Sequence, residues 1–187
     1  KISGKTTLIA LVGCVIYPSS GRVWVDGQEV NKLKDRQLAR LRLNNIGFVF
    51  QNFNLLAPLT AEDNVMMPLR LQGVSSREAR ERTEAALKMV GMLDRRKNLP
   101  KQLSGGQQQR ISIARALVTE PKILLCDEPT GSLDKDSLEI VMEELRELAD
   151  EGKAVCVVTH DPRLKKYAHR IVEVRNGEVL PVEDFEA

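Results

Sequence analysis

The chain lacks several features that would each assign it to a class of protein. It has no long apolar run. The longest, LIALVGCVI at 8–16, spans nine residues, about half of the roughly 18–20 that a membrane-crossing helix needs. It has no excess of one charge. Twenty-eight Lys and Arg against 26 Asp and Glu leave a net +2, which makes no electrostatic case for nucleic acid or an anionic surface as partner. It has three cysteines, Cys14, Cys126 and Cys156, and no C-x-x-C pair. That spacing argues against a zinc ribbon or a disulfide framework. Each cysteine sits in an apolar run, so the expectation is buried, reduced thiols in a cytosolic protein. There is no internal repeat and no low-complexity segment. What is present is 187 residues, 42% hydrophobic and 29% charged, enough for one soluble domain with a sizeable core.

Periodicity divides the chain into three stretches. In the first, residues 5–16 read as an apolar helix after a glycine, and 17–21 as a turn. RVWVDGQEV at 22–30 alternates around Asp26-Gly27, a strong hairpin signal. Residues 32–43 read as a surface helix, and IGFVF at 46–50 as a short strand stopped by Gln51-Asn52. In the second stretch, about 59–118, strand signals are few. Thr60 and Asp63 are caps for NVMMPLRL, and Ser75-Ser76-Arg77-Glu78 opens a helix carrying Thr83, Leu87 and Val90 on one face and closing at Gly91. This is a helical insertion. In the third stretch, KILLCDE at 122–128 and AVCVVTH at 154–160 are continuous apolar strands. The helix between them, 137–152, carries Leu138, Val141, Leu145 and Leu148 on one face. Apolar strands separated by helices predict a parallel sheet covered on both faces. Asp161-Pro162 opens a short helix, and a second hairpin turns across Asn176-Gly177. The fold class is therefore α/β, with a small antiparallel part and an inserted helical subdomain.

Several sites carry chemistry. Gly4-Lys5-Thr6-Thr7 matches the end of G-x-x-x-x-G-K-[ST], a loop whose amides and helix dipole cradle phosphates, whose lysine reaches the β- and γ-phosphates and whose hydroxyl binds Mg²⁺. Alone, the tetrapeptide is equally compatible with an ordinary helix start. ILLCDEP at 123–129 ends an apolar strand in two acids, at the sheet edge where α/β proteins bind ligands. There Asp127 would hold Mg²⁺, and Glu128 would polarise the attacking water as general base. LSGGQQQR at 103–110 places two glycines before a helix with Ser104 as its cap, a second anion-binding helix start. Two such starts in one small domain suggest two copies sharing a nucleotide. His160 ends the last apolar strand on the same edge as Asp127, placed for a γ-phosphate contact. His169 lies in a charged stretch with no such placement. Gln51 ends its own strand by the same geometry and could sense metal or water.

In this order the pieces resemble the nucleotide-binding subunit of ATP-binding cassette (ABC) transporters, over essentially the whole chain. SGKTT, from Ser3, looks like the end of Walker A, FVFQ like the Q-loop, and ILLCDEP like Walker B. LSGGQ (Leu103, Ser104, Gly105, Gly106, Gln107) matches the family signature, GSLD ending in Asp134 looks like the D-loop, and VVTHD supplies the switch histidine. The resemblance implies a P-loop NTPase fold with a RecA-like parallel core, residues 1–187 forming one ABC ATPase domain. It implies ATP and Mg²⁺ as cofactors. It implies a head-to-tail homodimer with each ATP between Lys5 and Thr6 of one copy and Ser104 and Gly106 of the other. It also implies ATP hydrolysis driving an integral membrane permease, with the subunit cytoplasmic and peripheral on the inner face of the membrane, and no nucleic acid. Residues 59–118 and the segment after Gln51 would face the permease. IGFVFQNFNLLAPLTAEDNVMMPL resembles the branch serving lipoprotein release and macrolide-type export.

Two departures stand at the start. The family carries glycine where Ile2 stands and commonly serine where Lys1 stands. The expectation is that residues 1–187 begin inside Walker A, truncated before the strand that feeds it and the aromatic that stacks on adenine, and that this stretch alone binds ATP poorly and is inactive. A soluble ABC ATPase of DNA repair or translation usually has paired cassettes or long insertions, and neither is seen. A degenerate regulatory cassette is disfavoured by Glu128, His160 and LSGGQ together.

Overall fold

The computed structural model describes residues 4–131, 133 and 135–181, with the side chains of 135–137 and 181 excepted. Its centre is a parallel sheet in the order β3-β4-β5, formed by Ile46–Val49, Ile123–Asp127 and Ala154–Val158. Two antiparallel hairpins flank it: β1 (Trp24–Val25) with β2 (Gln28–Glu29), and β6 (Val172–Arg175) with β7 (Glu178–Pro181). Both turn where the sequence predicts. Asp26 and Gly27 have φ of 49° and 74°, Asn176 and Gly177 of 54° and 85°, the paired positive φ of a turn whose twist matches its strands.

Six α-helices surround the sheet among the described residues: α1 (Lys5–Val12), α2 (Asp35–Asn45), α3 (Ala61–Gln72), α4 (Ser76–Met89), α5 (Gly105–Leu117) and α6 (Lys135–Asp150). The helical block is α3–α5, as its periodicity predicts. Thr60 accepts from the Asp63 amide at 3.1 Å and Ser75 from the Glu78 amide at 3.3 Å, so each helix starts on a side-chain cap. Helix α1 is shorter than the 5–16 its apolar run suggests. It stops at Gly13, where a Cβ would lie 2.2 Å from the Phe48 ring, and Cys14 turns to φ 56°.

The side-chain alternation of the strands separates two cores. Leu124 and Cys126 of β4 face the larger core, with Val65 and Leu69 of α3, Leu87 of α4, Ile111 of α5 and Val141 of α6. Leu125 and Ile46 face a smaller one, with Cys14, Val25, Leu38 and Leu41. No β5 side chain joins the smaller core among the described residues; its partly buried Val155 and Val157 pack on the larger one. The expectation of a sheet covered on both faces therefore holds for β3 and β4 and fails at β5. Cys156, expected buried, is exposed, whereas Cys14 and Cys126 are buried. The reason is topological: β5 borders the described sheet, and the buried side chains of the smaller core come from β4 and elements before it.

Gly47 sets the distance between sheet and helical block. A Cβ there would sit 2.5 Å from the Ala116 carbonyl oxygen and 2.8 Å from Leu124 Cδ1. Gly47→Ala should therefore destabilise the fold by about 1–3 kcal/mol, a drop in melting temperature of about 2–12 °C in a thermal melt. An unchanged melting temperature would show that α5 does not press on β3 as described.

Candidate functional site

Three chain segments meet at the C-terminal edge of the sheet. The first is the N-terminus of α1. Gly4 caps it at φ 80°, the left-handed conformation that glycine adopts without strain, and the first helical bond runs from Leu8 N–H to Gly4 C=O at 2.9 Å. The amides of Lys5, Thr6 and Thr7 belong to the first turn, where a helix has no internal acceptor for them. Thr6 and Thr7 are exposed.

The second segment is the end of β4. Asp127 is its last residue, paired with Val158. At Glu128 the chain turns with φ 48°, a strained value for a glutamate. Its amide donates to Val158 C=O at 2.9 Å, and its carbonyl accepts from Gly131 N–H at 3.3 Å. The first bond holds the strained residue against the third segment, the end of β5, and the second closes the turn after it. There Lys5 Nζ lies 3.4 Å from Thr159 C=O and 3.5 Å from His160 Nδ1. His160 Nε2 lies 3.5 Å from Glu128 Oε1, and Thr159 Oγ1 donates to Glu128 Oε2 at 3.2 Å. The imidazole thus stands between the α1 lysine and the β4 glutamate. Glu128 Oε1 is buried and accepts no hydrogen bond from the described residues.

Gln51 follows β3 and reaches the same edge: a Cβ on Gly131 would lie 3.9 Å from its Nε2. The backbone after it is anchored from the helical block. Arg115 of α5 donates to Asn54 C=O at 2.6 Å and to Phe53 C=O at 2.7 Å. Burial of that guanidinium pushes its pKa below the usual arginine value. Phe53 and Asn54 both have positive φ, 57° and 48°. No pattern in the sequence singles out Arg115, because its contacts lie some 60 residues away.

Ser104, Gly105, Gly106 and Gln107 form the start of α5. Gln107 N–H donates to Ser104 Oγ at 3.3 Å and Ser104 N–H to Gln107 Oε1 at 2.9 Å, a reciprocal capping box. Gly106 faces Leu133, whose Cδ2 would lie 3.5 Å from a Cβ. Among the described residues no hydrogen bond or ion pair joins this helix start to Lys5, Glu128 or His160. The structure therefore gathers Lys5, Asp127, Glu128, His160 and Gln51 at one edge and, among the described residues, ties the LSGGQ helix start to none of Lys5, Glu128 and His160. Ser3 and Asp134 lie outside the described residues.

The donor set suits a magnesium nucleotide. Among the described residues no three His, Cys, Asp or Glu side chains gather to cage a metal. A hydroxyl and one carboxylate, Thr6 and Asp127, with the first-turn amides of α1 nearby for phosphate, are donors of the kind that hold Mg²⁺ when phosphate oxygens and water complete its shell. Glu128 Oε1, with no hydrogen bond from the described residues and His160 Nε2 at 3.5 Å, is open to a further donor such as a water beside the phosphates.

The comparisons give the chain a family. The family model for ABC transporters matches residues 3–131. An uncharacterized ABC transporter ATP-binding protein of Bacillus subtilis, YknY, is 45% identical over 96% of this chain and 78% of its own length. The macrolide export ATP-binding/permease protein MacB of Mannheimia succiniciproducens is 47% identical over 95% of this chain, which spans only 28% of that larger protein. The ATP-binding cassette MJ0796, solved as a dimer in a post-hydrolysis state with ADP and phosphate, superposes with a TM-score of 0.92 at 41% identity, over 99% of this chain and 82% of its own. The motifs and these likenesses together place the chain in the ABC transporter family, as one of its ATP-binding ATPase cassettes.

Proposed function

We propose that the chain binds Mg-ATP between two copies arranged head to tail and hydrolyses it to drive an exporting membrane partner, from a peripheral position on the cytoplasmic face. The observation that carries this reading is that one copy holds two helix starts suited to phosphate, at Lys5 and at Ser104, with no hydrogen bond or ion pair between them among the described residues. One copy offers the cation, the acid and the histidine; a second, turned about a two-fold axis, would bring its Ser104, Gly105, Gly106 and Gln107 to the other side of the nucleotide. MJ0796, solved as a dimer with ADP and phosphate, supports the pairing.

In this reading the α1 amides and Lys5 bind the phosphates, and Thr7 extends that first turn. Thr6, Asp127 and Gln51 would hold Mg²⁺, which when bound supplies positive charge to offset that of the phosphates. Glu128 accepts the proton of the attacking water at Oε1, and His160 lies beside Glu128 and the γ-phosphate position. Asp134, from the D-loop match, and Ser3, from Walker A, belong to the same proposal.

The membrane partner would dock at a groove of about 820 Å³ between α2, β3, α3 and α5. Its floor holds the stacked rings of Phe48 and Phe50, 5.4 Å apart, and its rim holds Leu71, 67% exposed. Arg36, Arg40, Arg42 and Arg115 line it, and among the described residues no acid does. It adjoins the Phe53–Asn54 backbone that Arg115 holds, so an occupant there touches the segment leading from Gln51. The fitting occupant is a short amphipathic segment of the permease bearing a carboxylate. Co-purification from membranes tests this. The wild-type chain should retain an integral membrane protein, and Arg40→Glu should reduce that retention at least tenfold without changing the ATPase rate of the free cassette. Retention of no membrane protein by the wild type would favour a soluble ABC ATPase.

A further inference from the structure

Thr159 lies between the last residue of β5 and His160, half-buried. A hydroxyl has one proton to donate. Here the Asp161 amide donates into Oγ1 at 3.0 Å, so one lone pair is taken, and the proton runs to Glu128 Oε2 at 3.2 Å. The Asp161 turn is itself fixed. Its carboxylate accepts from the Arg163 amide at 2.9 Å and pairs with the Arg163 guanidinium at 2.6 Å. Glu128 needs such an anchor, because its backbone is in a strained conformation and its carboxylate has two non-equivalent oxygens. Oε2 is occupied by Thr159; Oε1 is buried without a hydrogen bond from the described residues, 3.5 Å from His160 Nε2.

We propose that Thr159 is a positioning residue for hydrolysis: its hydroxyl holds Glu128 Oε2 so that Oε1 alone meets the attacking water. The inference rests on Glu128 as general base. One oxygen serves as pivot and the other does the chemistry, and free rotation of the carboxylate would take Oε1 out of reach of the water for part of the time. A misoriented base lowers the rate of the proton transfer without touching the phosphates, so the loss should fall on kcat.

The test is steady-state ATPase activity of Thr159→Val, which keeps the shape and removes the proton, beside Thr159→Ser, which keeps the hydroxyl, both in the full-length gene product. The valine variant should lose about tenfold in kcat, the effect of one hydrogen bond to a charged group, with KM for Mg-ATP within twofold. Serine should restore most of the rate. In a Glu128→Gln background the valine change should add no further loss to the single-turnover rate, because the group it positions is already gone. Full kcat in Thr159→Val, an equal loss in Thr159→Ser, a loss seen in KM alone, or a further loss in the Glu128→Gln background would each overturn the proposal. Full activity of Glu128→Gln alone would instead overturn the general-base reading on which it rests.

Discussion

In the full-length gene product, replacing Glu128 by Gln should lower kcat at least a hundredfold and leave KM for Mg-ATP little changed. The substitution keeps the length and shape of the side chain, and its amide oxygen can still accept from Thr159. What it removes is the ability to take a proton from water, and a positioned base contributes about 10²–10⁴-fold. Binding groups lie elsewhere, on Lys5 and the first turn of α1, so nucleotide should still load. Loading without hydrolysis should then accumulate the closed, nucleotide-bound dimer, visible as a shift to the dimer position in size-exclusion chromatography with Mg-ATP. The wild type turns over and should show mainly monomer. Turnover within threefold of wild type would remove Glu128 from the role given to it. Strong loss of nucleotide binding would assign it to binding instead.

The residues of this site were legible in the sequence because strand ends and helix starts carry local signals. An apolar run ending in Asp127-Glu128 places two acids at a sheet edge wherever that run becomes a parallel strand. A glycine before Lys5-Thr6 and a serine before Gly105-Gly106 announce helix starts. The two hairpins were legible for the same reason, since Asp-Gly and Asn-Gly supply the positive φ that such turns need. What local pattern could not show depends on distant neighbours. Helix α1 ends where Gly13 meets Phe48, 35 residues on. Cys156 sits in as apolar a run as Cys126, yet it is exposed because its strand borders the described sheet. Thr159 stands inside a motif whose histidine draws attention first; its function lies in a bond to Glu128, 31 positions away. Arg115 likewise anchors the segment after Gln51 across more than 60 positions. Its importance follows from the burial of its guanidinium rather than from any spacing.

The central claim is that each nucleotide lies between Lys5 of one copy and Ser104 of the other, and subunit mixing tests it most directly. Lys5→Ala removes the cation that reaches the phosphates, and Ser104→Arg fills the opposite helix start with bulk and charge. Each homodimer should lose ATPase activity about a hundredfold or more, because both of its sites are damaged and electrostatic stabilisation of the transferred phosphoryl group is a large part of catalysis. Mixing the two inactive proteins changes the count. In a head-to-tail heterodimer one site takes both lesions, and the other combines an intact Lys5 with an intact Ser104. Random pairing makes about half of the dimers mixed, each with one of two sites intact, so about a quarter of wild-type activity should return. If Lys5 and Ser104 of the same copy served one nucleotide, every site in the mixture would still carry a lesion. A mixture as inactive as its components, with mixed dimers shown to form, would contradict the shared site.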